Sequence, residues 1–323
     1  MQPDARPTYA PLVPPPLPDL HRAADHSRAA IDTHLGDGTW ARLRRGVYVD
    51  ASVCGTGAID ATRRALADIR AIGENLADGK AFSHASAALL HGLPTWRVPD
   101  RTHVSQGVGH HVTRGDDVVR HVVDLPDDDL TVVHGFPTTS LLRTVVDCLH
   151  TLHPRDGLVV ADAALRGGLD ARTLRRAVMR GVGRRNVRRA REVVRVADPG
   201  AESPGESVTR YHLLAAALPA PTTQVRVRTA LGTFWTDMGW PELGVHAEYD
   251  GESKYDGVAD EKFFAQKRRD VAIAEAGGTV LHVTRHDLLT PEVLVARVRA
   301  AFPRGLPVGT VPRPYLHPRP PAS

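Results

Sequence analysis

What the sequence lacks narrows it first. Among 323 residues there are two cysteines, Cys54 and Cys148, far apart in the chain. Neither a disulfide framework nor a cysteine-ligated zinc site can be argued from them, and a reducing cytoplasm is the expected compartment. Aromatic residues make up 5% and methionines number three, so cores must be assembled mainly from Leu, Val and Ala. No run of about 18 uninterrupted apolar residues occurs, which leaves no candidate for a membrane-spanning helix. The first residues hold no apolar stretch behind a basic start, so no secretory leader is expected. An excess of one charge is also missing: 41 Lys and Arg stand against 37 Asp and Glu, a net +4. That balance permits a polyanionic partner without demanding one, and the distribution of charge says more than its sum.

What is present is a globular composition, 42% hydrophobic and 24% charged, over a length that suggests two or three domains. The first 19 residues are proline-rich and are expected to form an extended or disordered tail; a Pro-motif ligand is the functional alternative. The stretch from Pro303 to the end is read as a second disordered tail. Residues 20–55 hold a helix-spaced segment stopped by Gly36 and Gly38, then TWARLRRGVYVDA with a turn at Arg45-Gly46. A helix followed by a basic hairpin is the plan of a winged helix, in which basic residues, here Arg42, Arg44 and Arg45, meet phosphates while a helix enters the major groove. A half-buried hairpin with a solvated basic face fits the same residues.

Residues 56–150 are expected to form an α+β scaffold: two helices up to Gly92, strands in THVSQG, VVRHVVDL and LTVVHG, and a helix capped by Thr139 or Ser140 with Leu141, Leu142, Val145, Val146 and Leu149 on one face. Asp147 is placed to pair with Arg143 one turn back. Histidines are frequent here (His84, His91, His103, His110, His111, His121, His134), but no spacing among them reads as a metal site. Residues 151–199 are helical and become strongly basic, with ten arginines between Arg172 and Arg195 against the single acid Glu192. They read as a linker between domains, as a phosphate-contacting surface carried by Arg184, Arg185, Arg188 and Arg189, or as both.

Residues 200–302 carry the chemistry. Acidic residues interrupt or end apolar runs: Asp237 follows Gly-Thr-Phe-Trp-Thr, and Glu248 and Asp250 follow Gly-Val-His-Ala. A carboxylate on a central strand is costly to bury unless cations or hydrogen bonds compensate. Two on neighbouring strands form a hard-oxygen site suited to Mg²⁺. The expected element order is αβββαβ, with Glu206 on the first helix and Lys267 and Arg268 on a basic helix.

That order, with ESPGE at Glu202–Glu206, the strand Asp237, Glu248-x-Asp250-Gly251 and Lys267-Arg268, resembles the PD-(D/E)XK nuclease superfamily, and within it the very-short-patch-repair endonuclease and similar bacterial domains. The resemblance covers about the last third of the chain. It implies a restriction-endonuclease-like fold, Mg²⁺ (or Mn²⁺) held by Asp237, Glu248 and Glu206, DNA as partner and phosphodiester cleavage as activity. The superfamily's lysine, two residues after the second carboxylate, is Asp250 here; Lys254, where the similar domains have histidine, can supply the ammonium. Arg42, Arg45, Gly46, Val47 and Tyr48 resemble the wing of abortive-infection-type antitoxins, and Ser83 through Asp147 their middle region. The expected whole is an α/β multidomain protein: a winged-helix-like α+β region at the N-terminus and a restriction-endonuclease-like αβββαβ domain at the C-terminus. A non-enzymatic DNA-binding regulator whose nuclease domain has decayed is the competing expectation, and a scaffold with no nucleic-acid partner is a third.

Overall fold

The computed structural model describes residues 11–107, 117–251, 259–303 and 310–317, with the backbone alone at 259–263. Within them the chain is mixed α/β, with ten α-helices and three sheets. It divides into two compact units, residues 12–151 and residues 152 onward. No described helix is long and apolar enough to cross a membrane.

The N-terminal unit opens with strand β1 (His21–Arg22), helix α1 (Arg28–Gly36), β2 (Trp40–Arg44) and β3 (Val47–Asp50). Ser27 caps α1 by accepting the N–H of Ala30 at 3.2 Å. The three strands form an antiparallel sheet in the order β1-β3-β2, with a register shift between Arg42 and Arg44. The helix and basic hairpin expected for residues 20–55 are therefore present. A single α-helix precedes the hairpin among the described residues, so the winged-helix assignment itself stays a proposal.

Helix α2 (Ala58–Gly73), β4 (Lys80–Phe82), α3 (His84–Leu90), β5 (Thr102–Gln106), β6 (Val118–Val122), β7 (Leu130–Val133), β8 (Phe136–Thr139) and α4 (Leu141–Thr151) complete this unit. The five strands order as β6-β5-β4-β8-β7, with β5 and β6 parallel. Leu66 and Ile69 of α2, Phe82, Leu89, Leu90, Val104 and Val133 form the core between helices and sheet. On α4 the Arg143–Asp147 pair forms at 2.8 Å, and Arg143 also donates to Asp129 at 2.7 Å.

The proline-rich segment is not a free tail from residue 11 onward. Leu17 packs against the core, Arg70 donates to the Pro18 carbonyl at 2.7 Å, and Gly92, at φ 76°, leaves room for the Val13 carbonyl. Proline removes the means of forming helix or sheet but not of lying extended on an apolar surface.

Residues 151–199 are likewise not a linker. They form α5 (Pro154–Arg166), α6 (Ala171–Arg180) and α7 (Val187–Val196), and belong with the C-terminal unit. Their apolar stripes, Leu158, Val159, Val160 and Ala161, then Leu174 and Val178, then Ala190, Val193 and Val194, are buried. Then follow α8 (Pro204–Ala215), β9 (Thr222–Thr229), β10 (Gly232–Trp240), β11 (Val245–Asp250), α9 (Ala259–Glu275), β12 (Thr279–Thr284) and α10 (Pro291–Ala301). The sheet runs β12-β11-β10-β9, antiparallel except for the parallel pair β11–β12, which α9 connects. The expected αβββαβ order is thus observed, closed by α10. The C-terminal stretch is also docked where it is described: Tyr211 donates to the Leu316 carbonyl at 2.7 Å, and Leu316 is fully buried.

One ion pair fixes α8. Asp162 of α5 is fully buried and accepts from Arg210 Nη1 at 2.8 Å, Ser207 Oγ at 2.8 Å and the Asp198 N–H at 2.8 Å. Arg210 also donates to the Val196 carbonyl at 2.7 Å. Removing one partner of a buried pair leaves the other uncompensated. Asp162→Ala is expected to destabilise the folded chain by about 3–5 kcal/mol, read as a lowered urea midpoint. A loss under about 1 kcal/mol would place the pair among weak surface bridges.

Candidate active site

Four elements of the C-terminal unit bring acidic side chains to one end of the sheet. Helix α8 carries Glu206 in its first turn. Ser203 is the N-cap and accepts the Glu206 N–H at 3.2 Å, while the Glu206 carboxylate accepts from Ser203 Oγ at 2.8 Å and the Glu202 N–H at 2.7 Å. This reciprocal cap holds Glu206 in one rotamer. Gly205 lets the turn sit on the ring of Tyr249, where any Cβ would collide. Tyr249 in turn donates its N–H to Asp237 Oδ2 at 2.7 Å. The helix terminus, the β11 backbone and the β10 aspartate are therefore joined by direct contact.

Glu248, in the middle of β11 rather than at its end, is buried. It accepts from Gln266 at 3.2 Å and Arg269 at 3.1 Å, both on α9. Arg269 spans to β10 as well, donating to the Trp235 carbonyl. Beside this pair, His282 of β12 stands in register with Glu248. It donates from Nδ1 to Asp250 at 2.9 Å and from Nε2 to Asp270 at 3.0 Å.

The electrostatics follow from burial and crowding. Burial, then the Asp237 charge, pushes Glu206 up to about 8. Burial raises Glu248 as well; Arg269 opposes the rise and Asp237 adds to it. Asp237 is thus the charge that both glutamates feel. His282 moves the other way: its hydrogen bond to Asp250, with that to Asp270, raises it to about 9 against burial. It is an imidazolium at neutral pH.

Of the residues singled out by sequence, Glu206, Asp237 and Glu248 share one electrostatic neighbourhood, in which Asp237 raises both glutamates, but their carboxylates do not converge into one ligand group. Lys254 lies outside the described residues. Lys267 and Arg268 are exposed on α9, while the neighbouring Arg269 turns inward to Glu248. Arg42 and Arg45 are exposed on the hairpin, as are Arg184, Arg185 and Arg188 on and before α7. Arg44 and Arg189 are engaged within the fold and are withdrawn as phosphate contacts. Arg44 pairs with Asp117 and Asp68, and Arg189 donates to the Leu152 carbonyl at 2.6 Å. Sequence reasoning missed Arg269, Gln266 and His282. Only the register of β12 beside β11 brings His282 to Asp250, and no local spacing shows it.

Histidines expected to be scattered include three that converge. His84, His103 and His121 can hold a metal ion: one ring nitrogen from each lies within 4.8 Å of the others. Among the described residues, Glu206, Asp237 and Glu248 are not drawn into such a group; Glu248 accepts from Arg269 and Glu206 from its cap.

No family model matches the chain. Two uncharacterised proteins of Mycobacterium tuberculosis, MT2308 of strain CDC 1551 / Oshkosh and Rv2248 of strain H37Rv, are each 31% identical to it over 180 residues. The match covers 55% of this chain and 66% of each relative, just under two thirds of their length. The crystal structure of RV2827C protein, also from Mycobacterium tuberculosis, aligns over 66% of this chain and 83% of its own at 15% identity. Its TM-score is 0.34, too slight a likeness to carry an argument.

The His282 bridge makes a pH prediction. Its folded pKa, about 9, lies above the ordinary 6.5. Its contribution to stability is therefore fully present below pH 6.5 and lost as pH rises through about 9. In His282→Gln, the unfolding free energy is expected to lose that fall between pH 6.5 and 9. A wild-type imidazole that titrates near 6.5 by NMR would refute the bridge.

Proposed function

We propose that the protein binds DNA and that its C-terminal unit hydrolyses phosphodiester bonds with Mg²⁺, Mn²⁺ being an alternative, held by Asp237, Glu248 and Glu206. The observation that carries the reading is the crowding of Asp237 against two buried glutamates whose proton affinity it raises. A hard divalent cation relieves that repulsion, and an all-carboxylate donor set is what such a cation prefers. When bound, the metal would polarise a phosphate oxygen and lower the pKa of water.

The chain's own groups have separable roles. The Tyr249 N–H fixes the Asp237 carboxylate. The Ser203 cap fixes Glu206, which must release its proton before it can serve as a ligand. Arg269 holds Glu248 in place until a cation competes for it. Lys254, on the resemblance alone, is the ammonium that would stabilise charge on the phosphorane. The exposed cations Lys267, Arg268, Arg184, Arg185 and Arg188, with Arg42 and Arg45 on the hairpin, are the phosphate contacts, and each would make affinity salt-dependent. A winged-helix-like fold for residues 20–55 and a restriction-endonuclease-like fold for residues 200–302 are what this reading assigns.

A second reading, a DNA-binding regulator of antitoxin type with a decayed nuclease domain, is favoured by one feature. The residue in the superfamily's lysine position is Asp250, and it is tied to His282, while Glu248 is tied to Arg269. Cleavage separates the two readings. Under the nuclease reading the wild type cuts DNA with Mg²⁺ or Mn²⁺, and Asp237→Asn lowers the rate by roughly 100-fold or more, the loss of several kcal/mol of metal-borne stabilisation. DNA retention stays equal or tightens, because carboxylate–phosphate repulsion falls. Mg²⁺ affinity and cleavage rate should rise with pH up to about 8, where Glu206 loses its proton. A wild type that retains DNA and cuts none under either metal leaves the regulator.

The basic surface is tested separately. Replacing Arg184, Arg185 and Arg188 by Gln is expected to flatten the slope of log affinity against log salt by about 0.9 for each lost phosphate contact. An unchanged slope would remove that surface from the interface.

A further inference from the structure

In the N-terminal unit, three histidines distant in sequence share one face of the five-stranded sheet. His103 of β5 and His121 of β6 come from parallel strands in which Ser105 is the register partner of His121. Side chains two apart on a strand share a face, so His103, Ser105 and His121 lie on one side. His84, the first residue of α3, closes over them. Its ring stacks on that of His121, centroids 3.6 Å apart and planes 17° apart. His103 Nδ1 and His121 Nε2 are 2.9 Å apart, and His84 is buried.

Three features fit a metal. The first is the donor geometry: one ring nitrogen from each histidine lies within 4.8 Å of the others. Tetrahedral zinc with bonds of 2.0–2.1 Å places its nitrogens roughly 3.3 Å apart, so the His84 and His121 rings would turn out of their stack to direct a nitrogen each at one ion. The second is an outer contact: Ser83 Oγ lies 2.9 Å from His84 Nδ1, and a hydrogen bond to one ring nitrogen is what orients a histidine ligand through the other. The third is an orphan. Ser105 is fully buried, and its Oγ has no hydrogen-bond partner among the described residues. Buried hydroxyls are rarely left unpaired, and a water on a metal at this face would supply the partner.

We propose that His84, His103 and His121 form a Zn²⁺ site, with these three imidazoles as its ligands among the described residues and the Ser105 hydroxyl beside it. Three imidazoles without a carboxylate suit a borderline-soft ion and not Mg²⁺, so this site is distinct in chemistry from the carboxylates of the C-terminal unit and does not depend on the nuclease reading. Its consequence for the fold is direct. Strand β6 lies at the sheet edge, paired with β5 alone, and the ion would tie it to α3.

The test uses the full chain stripped with EDTA and returned to buffer without chelator. Zn²⁺ alone, added to one equivalent, is expected to raise the melting temperature, and Co²⁺ in its place to give visible bands that one equivalent of Zn²⁺ abolishes. His103→Gln with His121→Gln should remove the strongest of the bound equivalents and the melting shift, while Asp237→Asn should leave both unchanged. Ser105→Ala should keep the bound Co²⁺ but alter its spectrum. The paired variant must match the stripped wild type in circular dichroism; if it does not fold, the Co²⁺ bands of the wild type decide alone. Absence of those bands overturns the site. So does binding that survives in a folded His103→Gln/His121→Gln protein, which would place the ion on others of the 17 histidines.

Discussion

The C-terminal unit depends on one buried ion pair. Asp162 has no access to water, and its burial raises its carboxyl to about 6 even with Arg210 beside it. Left alone, either charge would cost several kcal/mol. What makes the pair tolerable is complete hydrogen bonding of Asp162: to Arg210, to Ser207 one turn before it, and to the N–H of Asp198. These partners come from α8 and from the connection that leads into it. The pair therefore sets the position of α8 against α5, and with it the position of Glu206. A salt bridge is weak evidence for stability, but fixing one register of a helix is the role for which buried ionic groups are best attested.

The same principle operates nearer the sheet end with a different outcome. At Asp162 the charge is fully answered. At Glu206 it is answered, among the described residues, by the hydroxyl and N–H of its cap, and the nearby Asp237 makes its ionisation harder still. The structure thus contains one carboxylate satisfied for architecture and another kept protonated near neutrality. A site that exists only to hold the fold gains nothing from crowding Asp237 against two glutamates, since repulsion of that kind is relieved by substitution of either. A divalent cation at the proposed site would relieve that repulsion.

Much of this was legible in the sequence, for identifiable reasons. Glu206 follows Ser203 by three residues, which is a helix-start signal written locally. Asp237 and Glu248 interrupt apolar strands, an anomaly visible without a structure. The element order of the last hundred residues follows from alternation and glycine punctuation. What was hidden depends on contacts between elements. Arginine abundance masked the apolar stripes of α6 and α7, so that packed helices were read as a linker. Arg269 differs from Lys267 and Arg268 only in the face of α9 it occupies. Arg44 reads as basic wing until Asp68 and Asp117 are found against it. Proline in residues 11–19 suggested disorder because sequence shows what a segment cannot hydrogen-bond to within itself, not what surface it will lie on.

The two proposed metal sites show how burial acts on opposite chemistries. Desolvation always disfavours the charged form. For Glu206 and Glu248 it disfavours the ligand form, so protons compete with any cation, and binding must be strengthened by high pH or by the mutual repulsion of the acids. For His103 and His121 the ligand form is the neutral one, so the same desolvation prepares them, and no counter-charge is needed until an ion arrives. The carboxylates are accordingly held by Arg269, Gln266 and the Ser203 cap. The imidazoles lie against one another, and His84 also against the Ser83 hydroxyl. At the proposed carboxylate site, binding of a cation would first require loss of a proton from Glu206 and exchange of Arg269 on Glu248.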